Sequence, residues 1–264
     1  MPLPLSIAIY CKNNEPTIGR TLESVRGLAS EIVAIDSGST DGTIRMLEAE
    51  GARVTRTEWK GYVATKQMAL DACGQEWVLS IDTDESLLPA LRAGVEAAVA
   101  RNDPGIQGFV VNRKVYYRDR PLNFAWQPER RLRLVRRGHA RCAGLDPHEQ
   151  IELVSPSPTP LLPGDLRHDA IGTFAEFFAK QAVHARTGAL SLHARGERGS
   201  LTRLVTSPPG AFLKQLVLKQ AWRDGWPGWL AAASTAAAAL MKHAALIELS
   251  RGGPPNEVGA AQEP

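Results

Sequence analysis

The stretch Trp77–Ser86 reads WVLSIDTDES. Its first five residues are apolar or small, as expected of a strand buried on both faces. It then closes on Asp82, Asp84 and Glu85, three carboxylates within four residues. Like charges this close repel unless a cation or hydrogen-bond donors compensate them. A buried strand that runs straight into such a cluster delivers it to a place where something neutralises it.

The surrounding hundred residues alternate strand and helix signals. Leu5–Cys11 is apolar and β-branched. Ile18, Leu22 and Val25 follow at helical spacing after Pro16, a residue suited to a first helical turn. EIVAID (Glu31–Asp36) predicts a second strand, Thr43–Ala49 a helix, Ala52–Thr55 a short strand, Gly61–Ala72 a helix, Glu76–Asp82 the fourth strand and Leu87–Ala100 a helix. Strands alternating with helices of this length imply an α/β fold with a mostly parallel sheet covered on both faces. In such sheets ligands bind at the carboxyl ends of the strands. Asp36 and Asp82 both fall on that edge.

Beyond residue 107 the pattern changes. GFVVNRKVYY and RRLRLVR alternate like antiparallel strands, and VSPSPTPLLPG (Val154–Gly164) reads as a loop. Three helical segments are expected after Thr173: Phe174–Ala194, Ala211–Arg223 and Trp229–Leu249. The last residues have the composition of a disordered tail. The expected organisation is a catalytic domain over 1–172, a helical extension over 173–250 and a tail over 251–264.

With 264 residues and a net charge of only +3, overall charge points to no particular partner. Three cysteines without CxxC spacing argue against a disulfide framework or a zinc site and for a reducing, cytoplasmic compartment. The N-terminus lacks the basic and long apolar regions of a signal peptide. No run of 18 apolar residues without charge predicts a spanning helix.

Two motifs carry chemistry. Asp82-Thr83-Asp84 at a strand end can share a hard divalent cation, Mg²⁺ or Mn²⁺, which takes oxygen ligands and keeps positions open for phosphates. The plainer reading is a solvated turn. DSGSTDGT (Asp36–Thr43) follows the second strand. Its glycines Gly38 and Gly42 free the backbone to turn tightly, and Asp36 can accept hydrogen bonds from a base or ribose. The plainer reading is a capped strand-to-helix turn. No GxGxxG or Walker A sequence is present, which disfavours dinucleotide and P-loop folds.

Taken in order, SIAIYCKNNEPTIGRTLESV, EIVAIDSGSTDGT, WKGYVATKQMAL and EWVLSIDTDE resemble the family 2 glycosyltransferases of the GT-A fold, a Rossmann-like, mostly parallel central sheet with helices on both faces. LDPHEQIEL, LPGDLRHDAIGTFAEFFAKQAVHA and the segment from Pro208 to Leu249 look like the C-terminal half of bacterial lipopolysaccharide core glycosyltransferases. The resemblance implies an inverting hexosyltransferase using a nucleotide sugar, UDP-glucose by preference, a divalent metal and a lipid-linked saccharide acceptor. It places Asn14 and Glu15 near the nucleoside, with Asp36, Ser37 and Gly38 at the base and Lys66 at the base or diphosphate. Asp82 and Thr83 then lie near the ribose, and Asp84, Asp82 and His168 form the metal site.

Inverting transfer needs a base for the acceptor hydroxyl and charge stabilisation on the leaving phosphates. The resemblance points to Glu149, in PHEQ, as the base, with Asp146 and Glu129 as rivals. His148 can orient that base or bind phosphate, although a lone histidine is more often structural. Arg131 and Arg133 offer planar forks to acceptor or donor phosphates. The alternative is a solvated edge strand protected by charge. Phe212 to Trp229, with Lys214, Lys219 and Arg223, can either pack as a helical hairpin or lie on an anionic membrane. The expected location is therefore cytoplasmic, peripheral on the inner face of the membrane. Two other functions are weighed: a nucleotidyltransferase, which usually has a glycine-rich loop after strand one, and a non-catalytic sugar-nucleotide module. No nucleic-acid module is recognisable.

Overall fold

A computed structural model describes residues 2–144 and 149–252. The tail expected over 251–264 lies, from residue 253 onward, outside the described residues. The described residues fold as two compact units, one of residues 2–114, 128–144 and 149–169, the other of residues 115–127 and 170–252.

In the first unit Leu3–Cys11 (β1), Ala29–Asp36 (β2), Arg53–Arg56 (β3) and Trp77–Ser80 (β4) alternate with helices Glu15–Val25 (α1), Thr43–Ala49 (α2) and Tyr62–Asp71 (α3). The chain continues with Glu85–Leu87 (β5), Pro89–Arg101 (α4), Gly108–Tyr117 (β6), Arg120–Pro121 (β7), Arg130–Arg136 (β8), Ala140–Ala143 (β9), Gln150–Leu153 (β10) and Leu161–Ile171 (β11). The large sheet runs β3-β2-β1-β4-β8-β6-β11-β5, with β7 pairing only with β6, and β9–β10 form a separate ribbon. β1 pairs parallel with β2 and with β4, and β2 pairs parallel with β3. β8 pairs antiparallel with β4 and β6. The sheet is thus parallel in its first half and antiparallel after it, the α/β layout expected from the sequence.

β1 is central because Leu5, Ile7 and Ile9 face one core while Ala8 faces the other, and all four are buried. With both faces covered, the strand reads as a continuous apolar run. Burying one such Leu or Ile side chain contributes about 1.5–3 kcal/mol. Trp77 opens β4 fully buried, its indole N–H donating to Asn102 Oδ1 at 3.0 Å.

Two sequence expectations change. The arginine-rich strand is no edge: β8 lies between β4 and β6, and Arg133, Leu134 and Val135 are buried in it while Arg130 stays exposed. Glu85, expected among the acids of a turn, instead opens β5 and is fully buried against β11.

The second unit is helical: Phe174–Ala194 (α5), Leu201–Leu213 (α6) and Trp226–Ser250 (α7), with a π-turn over Lys214–Leu218 and a 3₁₀ turn over Ala221–Asp224. α7 packs along both α5 and α6. The middle helix starts ten residues earlier than its predicted first residue, Ala211, and passes through Pro208 and Pro209. By length and composition α7 is long and apolar enough to cross a membrane, because Lys242 is the only Asp, Glu, Lys or Arg between Asp224 and Glu248. A small core joins Val115, Leu122, Ala125, Ile171, Ala221 and Ala231. Asp224 holds the excursion 115–127 in place. It is 5% exposed and accepts the backbone N–H groups of Asn123, Phe124 and Ala125 at 2.8, 3.0 and 2.8 Å.

Candidate active site

β1, β2 and β4 are neighbours in the sheet, and the loops at their carboxyl ends carry the predicted residues. The first two loops are laced together. Asn14 N–H donates to Thr43 Oγ1 at 2.7 Å, Asn13 Oδ1 accepts from Thr40 N–H at 2.8 Å, and Glu15 Oε2 accepts from Gly42 N–H at 2.7 Å. Asp36 is fully buried and spends its oxygens on its own turn, accepting from Gly38 N–H at 3.0 Å and Ser39 N–H at 3.1 Å. Gly38 has φ +103°, a region that a side chain would disfavour. Ser37 is buried, with its N–H bonded to Cys11 O at 3.0 Å.

The third loop holds the charge. Lys66, 3% exposed on α3, sits between Asp82 Oδ1 and Glu149 Oε1, at 3.0 Å from each. Asp82 Oδ2 accepts from Arg133 Nη2 at 2.9 Å. The same guanidinium reaches Glu85 Oε1 at 2.6 Å, and Arg113 Nη1 lies 3.4 Å from that oxygen. Burial pushes the Asp82 carboxyl up, but Arg133, Lys66 and Arg113 outweigh it and hold the group well below the usual carboxylate range. Glu85 Oε2 also accepts the Asp82 N–H at 3.0 Å. The arginines of β6 and β8 thus neutralise the crowded acids from beneath. Thr83 is buried, and its carbonyl accepts the Thr21 hydroxyl of α1 at 2.9 Å, fixing the loop.

Asp84 faces a different partner. Its Oδ2 lies 3.3 Å from His168 Nε2, a residue brought alongside by the β11–β5 register that sets His168 opposite Glu85. His168 Nδ1 is enclosed without a hydrogen-bond partner, so Nε2 is the nitrogen turned to the carboxylate. Among the described residues no group of three or more His, Cys, Asp or Glu side chains is arranged for a metal ion. An oxygen–nitrogen pair of this kind fits a Mg²⁺ or Mn²⁺ that takes its other ligands from phosphate and water.

Two residues join this group that the sequence reading gave no role. Tyr10 lies beneath Lys66, whose ammonium is 5.0 Å from the ring centroid. Burial first, then the charges of Asp82, Glu149 and Asp84, push its phenol well above its ordinary value, so it stays neutral. Its position one residue before the end of β1 was the available signal. Arg113 pairs with Glu129 at 2.5 Å, and Glu129 also pairs with Arg131 at 2.8 Å. Arg131 is thus held at the rim, whereas Arg133, 5% exposed, is turned inward to Asp82 and Glu85. His148 and Asp146 lie outside the described residues.

Comparison with known proteins follows the same lines. A family model described as glycosyl transferase family 2 matches residues 6–145. The lipopolysaccharide core biosynthesis glycosyltransferase LpsC of Rhizobium meliloti (strain 1021) is 32% identical over 257 residues, covering 93% of each chain. An uncharacterised glycosyltransferase of Rickettsia typhi, RT0209, is 27% identical over 255 residues, covering 93% of this chain and 87% of its own. Among solved structures, the glucosyl-3-phosphoglycerate synthase of Mycobacterium tuberculosis, crystallised with Mn²⁺, UDP and glucosyl-3-phosphoglycerate, aligns with a TM-score of 0.34. It is 28% identical over 44% of this chain and 45% of that one.

Proposed function

The chain belongs to glycosyl transferase family 2, and from that premise we propose that it moves a hexose, glucose, from UDP-glucose to a lipid-linked glycan of the lipopolysaccharide inner-core type at the cytoplasmic face of the membrane. The observation that carries the donor half of this reading is the Asp84–His168 pair set beside the Lys66–Asp82–Glu149 cluster. The relative named for lipopolysaccharide core biosynthesis, similar along 93% of both chains, supports the acceptor half.

In this reading the loops after β1 and β2 frame the nucleoside through Asn14 and Glu15, with the Asp36–Gly38 turn shaping the base pocket. Asp84 and His168 would hold Mg²⁺ or Mn²⁺. The ion, when bound, supplies Lewis-acid stabilisation to the leaving diphosphate. Lys66, held between Asp82 and Glu149, offers a second positive charge to the diphosphate. Glu149 takes the proton of the acceptor hydroxyl as that oxygen bonds to the anomeric carbon. The bond from that carbon to the phosphate oxygen breaks, the nucleoside diphosphate leaves with the electron pair, and the anomeric configuration inverts. Arg133 serves as the counter-charge for Asp82 and Glu85, and Arg131 is the arginine left to meet an acceptor phosphate.

The test is calorimetric titration of the protein with UDP, with and without Mn²⁺, repeated on Asp84→Ala. Metal-dependent binding that the variant loses supports the reading. Binding of no nucleoside diphosphate under any metal condition overturns it.

A further inference from the structure

The helical unit leaves one part of its surface strongly apolar. Leu213, Val217 and Leu218 are 57%, 55% and 75% exposed, and Trp222, Trp226 and Trp229 are 54%, 55% and 51% exposed. Large side chains of this kind normally turn inward, and a contiguous exposed set marks an interaction surface. The segments that carry these residues are neighbours. The π-turn packs on the 3₁₀ turn and both pack on α7. The Phe212 and Trp229 rings meet with centroids 6.4 Å apart. Gln215, Leu216, Ala221, Asp224, Pro227 and Gly228 take the inward positions. Gly228 lets the turn lie that close, since a Cβ there would stand 1.7 Å from the Ala221 carbonyl oxygen.

The charge on this band has one sign. Lys214 and Arg223 are exposed within it. The single acid between residues 200 and 230 is Asp224, which is buried and occupied by three backbone N–H groups. A protein-facing patch needs no such exclusion of acids. An anionic surface does, and tryptophan is the side chain that settles where hydrocarbon meets headgroup, because its ring is apolar and its N–H is polar.

We propose that the band formed by Leu213, Val217, Leu218, Trp222, Trp226 and Trp229, with Lys214 and Arg223, seats the protein on an anionic lipid bilayer at interfacial depth. The inference rests on this surface alone and does not require the transferase reading. Leucine, valine and tryptophan enter the boundary layer, while the two cations meet the lipid phosphates.

The experiment is co-sedimentation of the full chain with vesicles of phosphatidylglycerol and phosphatidylcholine, against vesicles of phosphatidylcholine alone, with tryptophan emission followed in parallel. The expected result is binding to the anionic vesicles, weakened by salt, with a blue shift in emission. L218E/W222E and K214E/R223E should each reduce binding about tenfold or more. Unchanged melting temperatures in both variants separate this loss from misfolding. No binding to anionic vesicles, or binding that neither variant reduces, overturns the proposal. So does a vesicle-free dimer of the chain that L218E/W222E turns into a monomer, which would make the band a protein interface.

Discussion

Replacing Arg133 with leucine removes the counter-charge of two enclosed carboxylates at once. The guanidinium reaches Asp82 at 2.9 Å and Glu85 at 2.6 Å, and Glu85 is fully buried. Breaking a buried ion pair by deleting one partner costs about 3–5 kcal/mol, because the remaining charge is stranded. Arg113, 3.4 Å from Glu85 and 4.0 Å from Asp82, offsets part of this and favours the lower end. At about 2–4 °C per kcal/mol for a chain of this size, R133L should melt about 6–12 °C below the parent at pH 7. The gap should also depend on pH. The Asp82 carboxyl is depressed in the folded protein, so its contribution is complete above the ordinary carboxylate range and disappears as pH falls through the depressed value. In R133L part of that contribution is missing, with Lys66 and Arg113 still in place, so the gap between the two melting curves should begin to close below about pH 4. Adding Glu85→Leu to R133L should recover part of the loss at neutral pH. Calorimetric melting from pH 3 to 8 provides the check. A shift under about 2 °C at pH 7, or a gap that stays constant with pH, would refute the assignment of Arg133 as counter-charge.

Lys66→Met should lower kcat/KM for sugar transfer by about 100-fold or more, the scale of losing one preorganised charged donor; steady-state assays with the donor that binds provide the measurement. Asp224→Asn should destabilise the second unit by about 2–4 kcal/mol, since a neutral amide replaces a charged acceptor of three N–H bonds. Hydrogen exchange at Asn123, Phe124 and Ala125 should accelerate in that variant. Gly228→Ala should cost about 1–3 kcal/mol by forcing the first turn of α7 away from the Ala221 carbonyl, read by denaturant unfolding.

The first half of the sheet was legible in the sequence because its signals are local. Each strand is a short apolar run, each helix has its own spacing, and the edge carrying Asp36 and Asp82 follows from strand direction. The carboxylate cluster was legible as a set, yet its division of labour was not. Asp82, Asp84 and Glu85 look alike in sequence, but one residue of strand alternation sends Glu85 into the core. The arginines that receive it stand 28 and 48 residues further on. The pairing of Asp84 with His168 depends on a strand register between segments more than 80 residues apart, which no local pattern encodes. The expected helix Ala211–Arg223 is displaced ten residues from α6 for a different reason: Pro208 and Pro209 disfavour a helix interior locally, and here the helix runs through them.

The Asp224 clamp has a consequence for the order of synthesis. The amides it receives at residues 123–125 precede it by 99 to 101 positions. At about 5–20 residues per second, the ribosome exposes that segment for roughly 5–20 s before its acceptor has been made. Through that interval Asn123, Phe124 and Ala125 lack the carboxylate that organises their backbone. A nascent chain stalled before residue 224 should therefore be a better target for chaperones and proteases at 115–127 than one stalled a few dozen residues later.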